Sequence, residues 1–312
     1  MGSFSRIIGG MGAAALAGIT LGAMPQAAQA MPALAKAVNV PCDPDALVTA
    51  ITAANGNGAG TLLLSPDCVY NYTAATDSGD ALPIITGDIT LVGGSGTSIR
   101  RDPTATDAFR VLQVASGATL HVQRISILGG STAGPGGGIL NAGTVVLEQT
   151  IMAGNHAGNG GAIANSEGAN ATISHSVLSE NSTASVGGGA IVNFGTLTVS
   201  ASVVTGNSAP VNGGGLNTQS IGVSHVIRST VTDNTSGSLG GGVSNLGTTT
   251  LDRVVVMRNK GSAGGGIATA STDVSLQRSV VRANIPDNCS PKNTIPGCVD
   301  QPPVKRRDPV RS

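Results

Sequence analysis

The pattern of apolar and polar positions in the second half of the chain repeats about every 25 residues. Each repeat contains an apolar residue, two variable residues and an asparagine, as in MAGN, LSEN and VTGN. The spacings between successive asparagines are 26, 26, 27, 25 and 25 residues. A register kept over six repeats indicates one structural unit that recurs along the chain. Its asparagines are Asn155, Asn181, Asn207, Asn234, Asn259 and Asn284.

A second marker opens each repeat: two or three glycines followed by a small or aliphatic residue, as in GGGI, GGAI and GGGV. A phosphate-binding glycine loop occurs once in a domain, between a strand and a helix. This motif occurs six times, and no helical pattern follows it. It therefore predicts a chain corner, where glycine adopts positive φ at no steric cost.

Between these corners, apolar and polar residues alternate with a period of two, as in TLTVSASVV, and this predicts short strands. A unit of about 25 residues without a helix cannot bury its apolar face alone, but it can do so against a neighbouring unit. We therefore expect an all-β, single-domain fold: a single-stranded right-handed parallel β-helix over residues 62–288. It would contain about nine coils spaced about 4.8 Å apart, with the asparagines stacked in one hydrogen-bonded column.

The first 30 residues have the pattern of a secretory signal peptide. Arg6 precedes an apolar run at residues 11–24, and an A-x-A cleavage pattern follows at residues 28–30. A second such pattern at residues 33–35 leaves the cleavage position open. No later apolar stretch is long enough to span a membrane. We therefore expect a secreted, extracellular protein, with association with the cell wall as an alternative to free release.

Residues 31–61 are interpreted as a linker and a helix that caps the stack. Asp43 and Pro44 are suited to the N-cap and the first helical position. An apolar stripe follows, and Asn55 with the next glycine ends the helix. This helix would cover the unpaired edge of the first coil.

The four cysteines all follow the signal sequence, which fits an oxidising compartment. Three pairings are possible, and proximity favours Cys42 with Cys68 and Cys289 with Cys298. A metal site is disfavoured because the CxxC spacing is missing and the histidines lie far from the cysteines. Residues 289–312 are then a disulfide-clamped end followed by a disordered basic tail.

The two repeat markers together resemble the polymorphic outer membrane protein repeat and related secreted β-helix proteins of the pectate-lyase-like superfamily. GGAI at residues 160–163 and 188–191 matches literally, and the resemblance covers residues 136–284. It implies the β-helix fold. Larger members use such segments in adhesion, so the resemblance also raises an adhesive role.

The carboxylates do not form the cluster that polysaccharide lyases and hydrolases of this fold need. Glu180 and Asp233 share one repeat position but lie two coils apart, about 10 Å by the coil rise, beyond the spacing of an inverting pair. The histidines have no serine or aspartate partner in register, and aromatic residues make up only 2% of the chain. We therefore predict no catalytic residue and no cofactor, with a polysaccharide lyase or glycoside hydrolase as the alternative.

A basic column is the remaining candidate site. Three consecutive repeats carry an arginine six positions before the asparagine, and two more arginines lie close by. Stacked arginines repel each other unless an anion covers them, so the column suggests a scaffold that binds an anionic polysaccharide or cell-wall polymer. The alternative is that they extend into water and pair with Asp233 or Asp252. The chain has no net charge, and we expect a monomer with no nucleic-acid partner. The residues are Arg228, Arg253, Arg278, Arg258 and Arg282.

Overall fold

A computed structural model describes residues 37–185, 187–271 and 273–300, which form a parallel β-solenoid. The predicted signal peptide and the basic tail beyond residue 300 lie outside these ranges. The longest sheet has ten strands, one from each turn. The predicted all-β parallel stack is therefore confirmed.

Four sheets run along the stack, and neighbouring strands in each sheet come from successive turns. Sheet 1 consists of Val38–Val40, Ala59–Leu64, Asp88–Val92, Thr119–Gln123, Thr144–Glu148, Asn170–Ser174, Thr196–Ser200, Val223–Ile227, Thr248–Asp252 and Val274–Gln277. Sheet 2 consists of Val69–Tyr72, Ser98–Arg101, Ser126–Leu128, Ile151–Ala153, Val177–Ser179, Val203–Thr205, Thr230–Thr232, Val255–Met257 and Val280–Arg282. Sheet 3 consists of His156–Ala157, Ser182–Thr183, Ser208–Ala209 and Thr235–Ser236. Sheet 4 consists of Leu112–Val114, Ile139–Asn141, Ile163–Asn165, Ile191–Asn193, Leu216–Thr218, Val243–Asn245, Ile267–Thr269 and Cys289–Ser290.

The stack contains one strand that the sequence interpretation assigned to the linker. Val38–Val40 pairs in parallel with Leu62–Leu64, across the helix that separates them in sequence. A three-residue strand is too short to show a period of two, which is why the pattern does not reveal it.

The helix Pro44–Gly56 is the only helix in the described ranges. It begins where the Asp43 side chain accepts a hydrogen bond from the Asp45 N–H at 2.9 Å. Leu47, Ile51 and Ala54 are buried on its apolar face, and the helix packs against the first strands of sheets 1 and 2. It is not long enough to cross a membrane.

Both predicted disulfides are formed. Cys42–Cys68 joins the chain just before the helix to the first turn, and Cys289–Cys298 closes a short loop at the last strand of sheet 4. A disulfide stabilises mainly by restricting the unfolded chain, so these bonds hold the two ends of the stack, where each strand has a neighbour on one side only.

The core lies inside the turns and is built from aliphatic columns. Leu147, Ile173 and Val199 occupy successive strands of sheet 1 in register and are fully buried or nearly so. Side chains of modest size fill this interior because each turn lies about 4.8 Å from the next. The apolar alternation of the sequence is therefore the inward face of sheets 1 and 2.

The six repeat asparagines form one buried ladder at the corner after sheet 2. The Asn155 Nδ2 donates to Asn181 Oδ1 at 2.9 Å, and the backbone N–H of Asn155 donates to the same oxygen at 3.0 Å. The same pair of bonds recurs down to Asn284. Each asparagine oxygen thus accepts a hydrogen bond from the backbone N–H at the corner of the preceding turn, and this N–H is buried away from water.

A second ladder, which the repeat markers do not include, lines the corner between sheets 1 and 2. The hydroxyl of Ser202 accepts from the backbone N–H of Ser176 at 3.0 Å, and Ser229 accepts from Ser202 in the same way at 3.1 Å. Serine hydroxyls therefore accept hydrogen bonds from the backbone of the preceding turn at this corner, as the asparagines do at the corner after sheet 2.

Candidate functional site

The outer face of sheet 2 is narrow because left-handed corners bound it on both sides. In one turn, Val255 and Met257 lie on the outer face, while Val256 between them is buried. Arg253, two residues before Val255, has φ 56°, and Arg258, directly after Met257, has φ 54°. A residue in this conformation turns the chain and interrupts the alternation of inward and outward side chains. The face is therefore two residues wide between two corners.

The five predicted arginines lie on this face or at the corners that bound it, in three consecutive turns, as the pairing of Ile227 with Asp252 and of Asp252 with Gln277 shows. Three of them occupy the corner between sheets 1 and 2, with φ between 47° and 56°. One occupies the opposite corner, and one lies on the outer face of the last strand. All are exposed. We call this group the basic strip: Arg228, Arg253, Arg278, Arg258 and Arg282.

Two aspartates neutralise part of the basic strip. Asp252 bridges two arginines, since its Oδ2 lies 2.8 Å from Arg253 Nη2 and its Oδ1 lies 2.8 Å from Arg278 Nη2. Asp233 Oδ2 lies 2.9 Å from Arg258 Nη2. The pairing that the sequence left as the alternative is therefore present for three of the five arginines. Five positive charges less two negative ones leave a formal charge of +3.

The two aspartates of the strip are unsuited to act as general acids. Hydrogen bonds from Arg278 and Arg253 hold the pKa of Asp252 below its ordinary value. The hydrogen bond from Arg258 does the same for the pKa of Asp233. A catalytic acid needs a pKa raised toward the working pH, so these carboxylates act as counter-ions.

Glu180, Asp233 and Asp80 do not form a catalytic carboxylate pair in the described ranges. Glu180 and Asp233 occupy one corner column, at φ 55° and 57°, and are two turns apart. Asp80 has a pKa raised to about 6 by burial, against the opposing effect of Arg110. Its side chain is fully buried in an ion pair with Arg110, so a polymer cannot reach it. Within the same ranges, no group of three acidic, histidine or cysteine residues is placed to hold a metal ion.

One expectation about the histidines was wrong. His156 Nδ1 lies 2.9 Å from Ser182 Oγ, and the two residues pair directly in sheet 3. The sequence held the signal, because each of them directly follows a repeat asparagine. The pair is exposed, and no carboxylate hydrogen-bonds to His156 in the described part of the chain. The backbone N–H of Ser182 is occupied by Asn155 O. The pair therefore lacks the orienting acid of a catalytic triad, and the Ser182 N–H is not free to serve as an oxyanion donor.

Comparison with known proteins gives no assignment. No family model matches the chain, and no curated protein matches it. Function therefore has to be inferred from the surface of the solenoid.

Proposed function

We propose that the protein is a non-catalytic, extracellular β-helix scaffold that binds an anionic polysaccharide or other cell-wall polymer through the basic strip. The observation that carries this proposal is the placement of five exposed arginines on one narrow face and its bounding corners, in three consecutive turns, against two aspartates. Guanidinium groups bind carboxylate and sulfate-like oxygens in a planar, two-pronged geometry.

The ion pairs within the strip do not close it to a ligand. The side chains of Arg253, Arg258 and Arg278 are 46%, 54% and 69% exposed. Exposed pairs contribute only about 0–1 kcal/mol, so a ligand anion can share or replace the aspartate. Arg228 and Arg282 form no ion pair within the described ranges, and they offer their full charge.

The spacing of the strip favours a polymer over a single small anion. Arg228, Arg253 and Arg278 recur at the rise of the turns, about 4.8 Å, so the outer two are about 10 Å apart along the axis. A chain with repeated charges can contact several of these arginines together, and each further contact then forms at a high effective concentration.

Several features favour an extracellular scaffold. The signal-peptide pattern of the first 30 residues and the two disulfides suit a secreted protein. The repeat markers resemble the polymorphic outer membrane protein repeat and related secreted pectate-lyase-like proteins, the larger of which use such segments in adhesion. Strand pairing between successive turns presents the outward side chains at a fixed spacing.

Affinity chromatography on immobilised dextran sulfate, alginate and uncharged dextran tests the proposal. We expect retention on both anionic polymers, elution by salt, and roughly ten-fold weaker binding of the Arg253→Ala/Arg278→Ala variant. Ala201 occupies the same left-handed corner, so alanine is tolerated there. The matched control is Lys260→Ala/Lys292→Ala, which removes the same charge outside the strip.

Two outcomes would overturn the proposal. One is equal retention of the arginine variant and the lysine control, which would show that the arginines of the strip face solvent without binding the polymer. The other is release of unsaturated or reducing-end products from a panel of polyuronates, which would show a lyase or hydrolase.

A further inference from the structure

A column of aliphatic side chains runs beside the basic strip on the outer face of sheet 2. Its members lie in direct register on successive strands. Ile151, Val203 and Val280 are 46%, 36% and 48% exposed, and the others are half-buried. We call this set the aliphatic column: Ile151, Val177, Val203, Thr230, Val255 and Val280.

The fold does not require aliphatic residues at these positions. Outward strand positions need β-branched side chains that suit a pleated surface, and threonine meets that need in water. Thr230 occupies the column itself. The central outer column of sheet 1, which faces solvent in the same way, is mainly threonine. Its threonines are Thr61, Thr90, Thr172, Thr198 and Thr250.

The aliphatic column and the basic strip share one surface. Val255 is two residues from Arg253 at one corner and three residues from Arg258 at the other. Val280 likewise lies between Arg278 and Arg282 in the next turn. A ligand lying on the valines would therefore have cationic groups on both sides of it.

We infer that the ligand runs along the solenoid axis with an apolar face on the aliphatic column and its anionic groups directed toward the flanking arginines. This inference rests on the proposed function and narrows the ligand to an anionic polysaccharide. Sugar rings present C–H faces that gain from covering aliphatic surface, and their carboxylate or sulfate groups project from the ring edges. A polyphosphate has the charge but no apolar face.

The length of the column limits how much of a polymer could contact it. From Ile151 to Val280 it covers five rises, or about 24 Å. Near Ile151 it reaches an open cavity of about 350 Å³ that is also lined by Arg124 and Gln149. Between this cavity and the basic strip, the corners beside Val177 carry His175 and Glu180 in place of arginines, so the turns that combine an apolar side chain with arginines on both sides are those of Val255 and Val280.

The double variant Val255→Thr/Val280→Thr tests the inference, because threonine preserves the branched shape and is already present at Thr230. Its affinities for dextran sulfate and for polyphosphate are compared with those of the wild type and of Arg253→Ala/Arg278→Ala. We expect roughly five-fold weaker binding of dextran sulfate and unchanged binding of polyphosphate. Val69→Thr is the control, since Val69 lies in the same register three turns before Ile151 and therefore away from the basic strip.

Each failure has its own signature. If the arginine variant binds dextran sulfate like the wild type, the proposed function itself is wrong. If the arginine variant is impaired but the valine variant is not, or if the valine variant loses polyphosphate equally, only the inference about the aliphatic column is wrong. Valine-dependent binding to phosphatidylglycerol vesicles without binding to dextran sulfate would assign the surface to an anionic membrane instead.

Discussion

Asn181 donates two hydrogen bonds to one oxygen of Asn207. The backbone N–H of Asn181 lies 2.9 Å from Asn207 Oδ1, and its Nδ2 lies 3.0 Å from the same atom. The Nδ2 also reaches the carbonyl of Met152 in the preceding turn. One side chain therefore links three consecutive turns, and this explains why asparagine, rather than another polar residue, recurs at this buried corner.

Replacing a middle member of the ladder should destabilise the whole stack. In Asn207→Ala, the N–H and Nδ2 of Asn181 lose their acceptor, and the carbonyl of Leu178 loses its donor. Since these groups are buried, we expect the free energy of unfolding to fall by about 3–5 kcal/mol. Denaturant titration followed by circular dichroism measures this.

The control for the ladder is Asn170→Ala, an exposed asparagine on the outer face of sheet 1. It should change the free energy of unfolding by no more than about 0.5 kcal/mol. Equal effects of the two substitutions would mean that the ladder adds nothing beyond ordinary strand pairing.

Replacing one buried asparagine of sheet 4 with an apolar residue should stabilise the protein. Asn217 is fully buried, and neither its Oδ1 nor its Nδ2 has a hydrogen-bond partner in the described ranges. Val192 occupies the equivalent position one turn earlier. Asn217→Val should therefore raise the free energy of unfolding by about 1–2 kcal/mol, and Val192→Asn should lower it. A destabilised Asn217→Val variant would show that the amide is hydrogen-bonded in solution.

The buried ion pair predicts a pH dependence of stability. Burial raises the pKa of Asp80 from 3.8 to about 6, so the folded state binds this proton more tightly than the unfolded state. The stabilising contribution is complete below about pH 4 and is lost as the pH rises through 6. Asp233 and Asp252, whose pKa values are lowered, titrate below this window.

Unfolding titrations between pH 4 and 7 on the wild type and Asp80→Asn isolate this effect. The wild type should lose stability relative to the variant as the pH rises, because asparagine carries no proton to release. Asparagine can still accept from Arg110 through its oxygen. The raised pKa would be contradicted if the difference in unfolding free energy between the two proteins stayed constant with pH. It would also be contradicted if the wild type became more stable relative to the variant as the pH rose.

The repeat spacing predicts most of the fold because one physical constraint acts on every turn. A corner that must satisfy buried backbone groups selects asparagine, and a corner that needs positive φ selects glycine. Both recur at the length of a turn and are visible without coordinates. Val38–Val40 was not predictable, since a three-residue strand has no period to detect.

The candidate surface was only half predictable. The arginine column follows from counting back from each asparagine, but the direction of its side chains does not. Arg228, Arg253 and Arg278 sit at left-handed corners, where the alternation of inward and outward positions restarts. Their shared partner Asp252 and the flanking aliphatic column become visible only once adjacent turns are placed in register.

Asp252 gives the most direct test of the central claim, because it pairs with two arginines that the proposal assigns to a ligand. The salt concentration needed to elute Asp252→Asn from immobilised dextran sulfate should be compared with that for Asp273→Asn. Asp273 is exposed and directly precedes the last strand of sheet 1, outside the strip. Both substitutions replace an aspartate with asparagine, so they change the net charge equally. If the basic strip binds anionic polysaccharide, Asp252→Asn frees two guanidinium groups and elutes at clearly higher salt than the control. Elution of both variants at the same salt concentration would contradict the proposed binding surface.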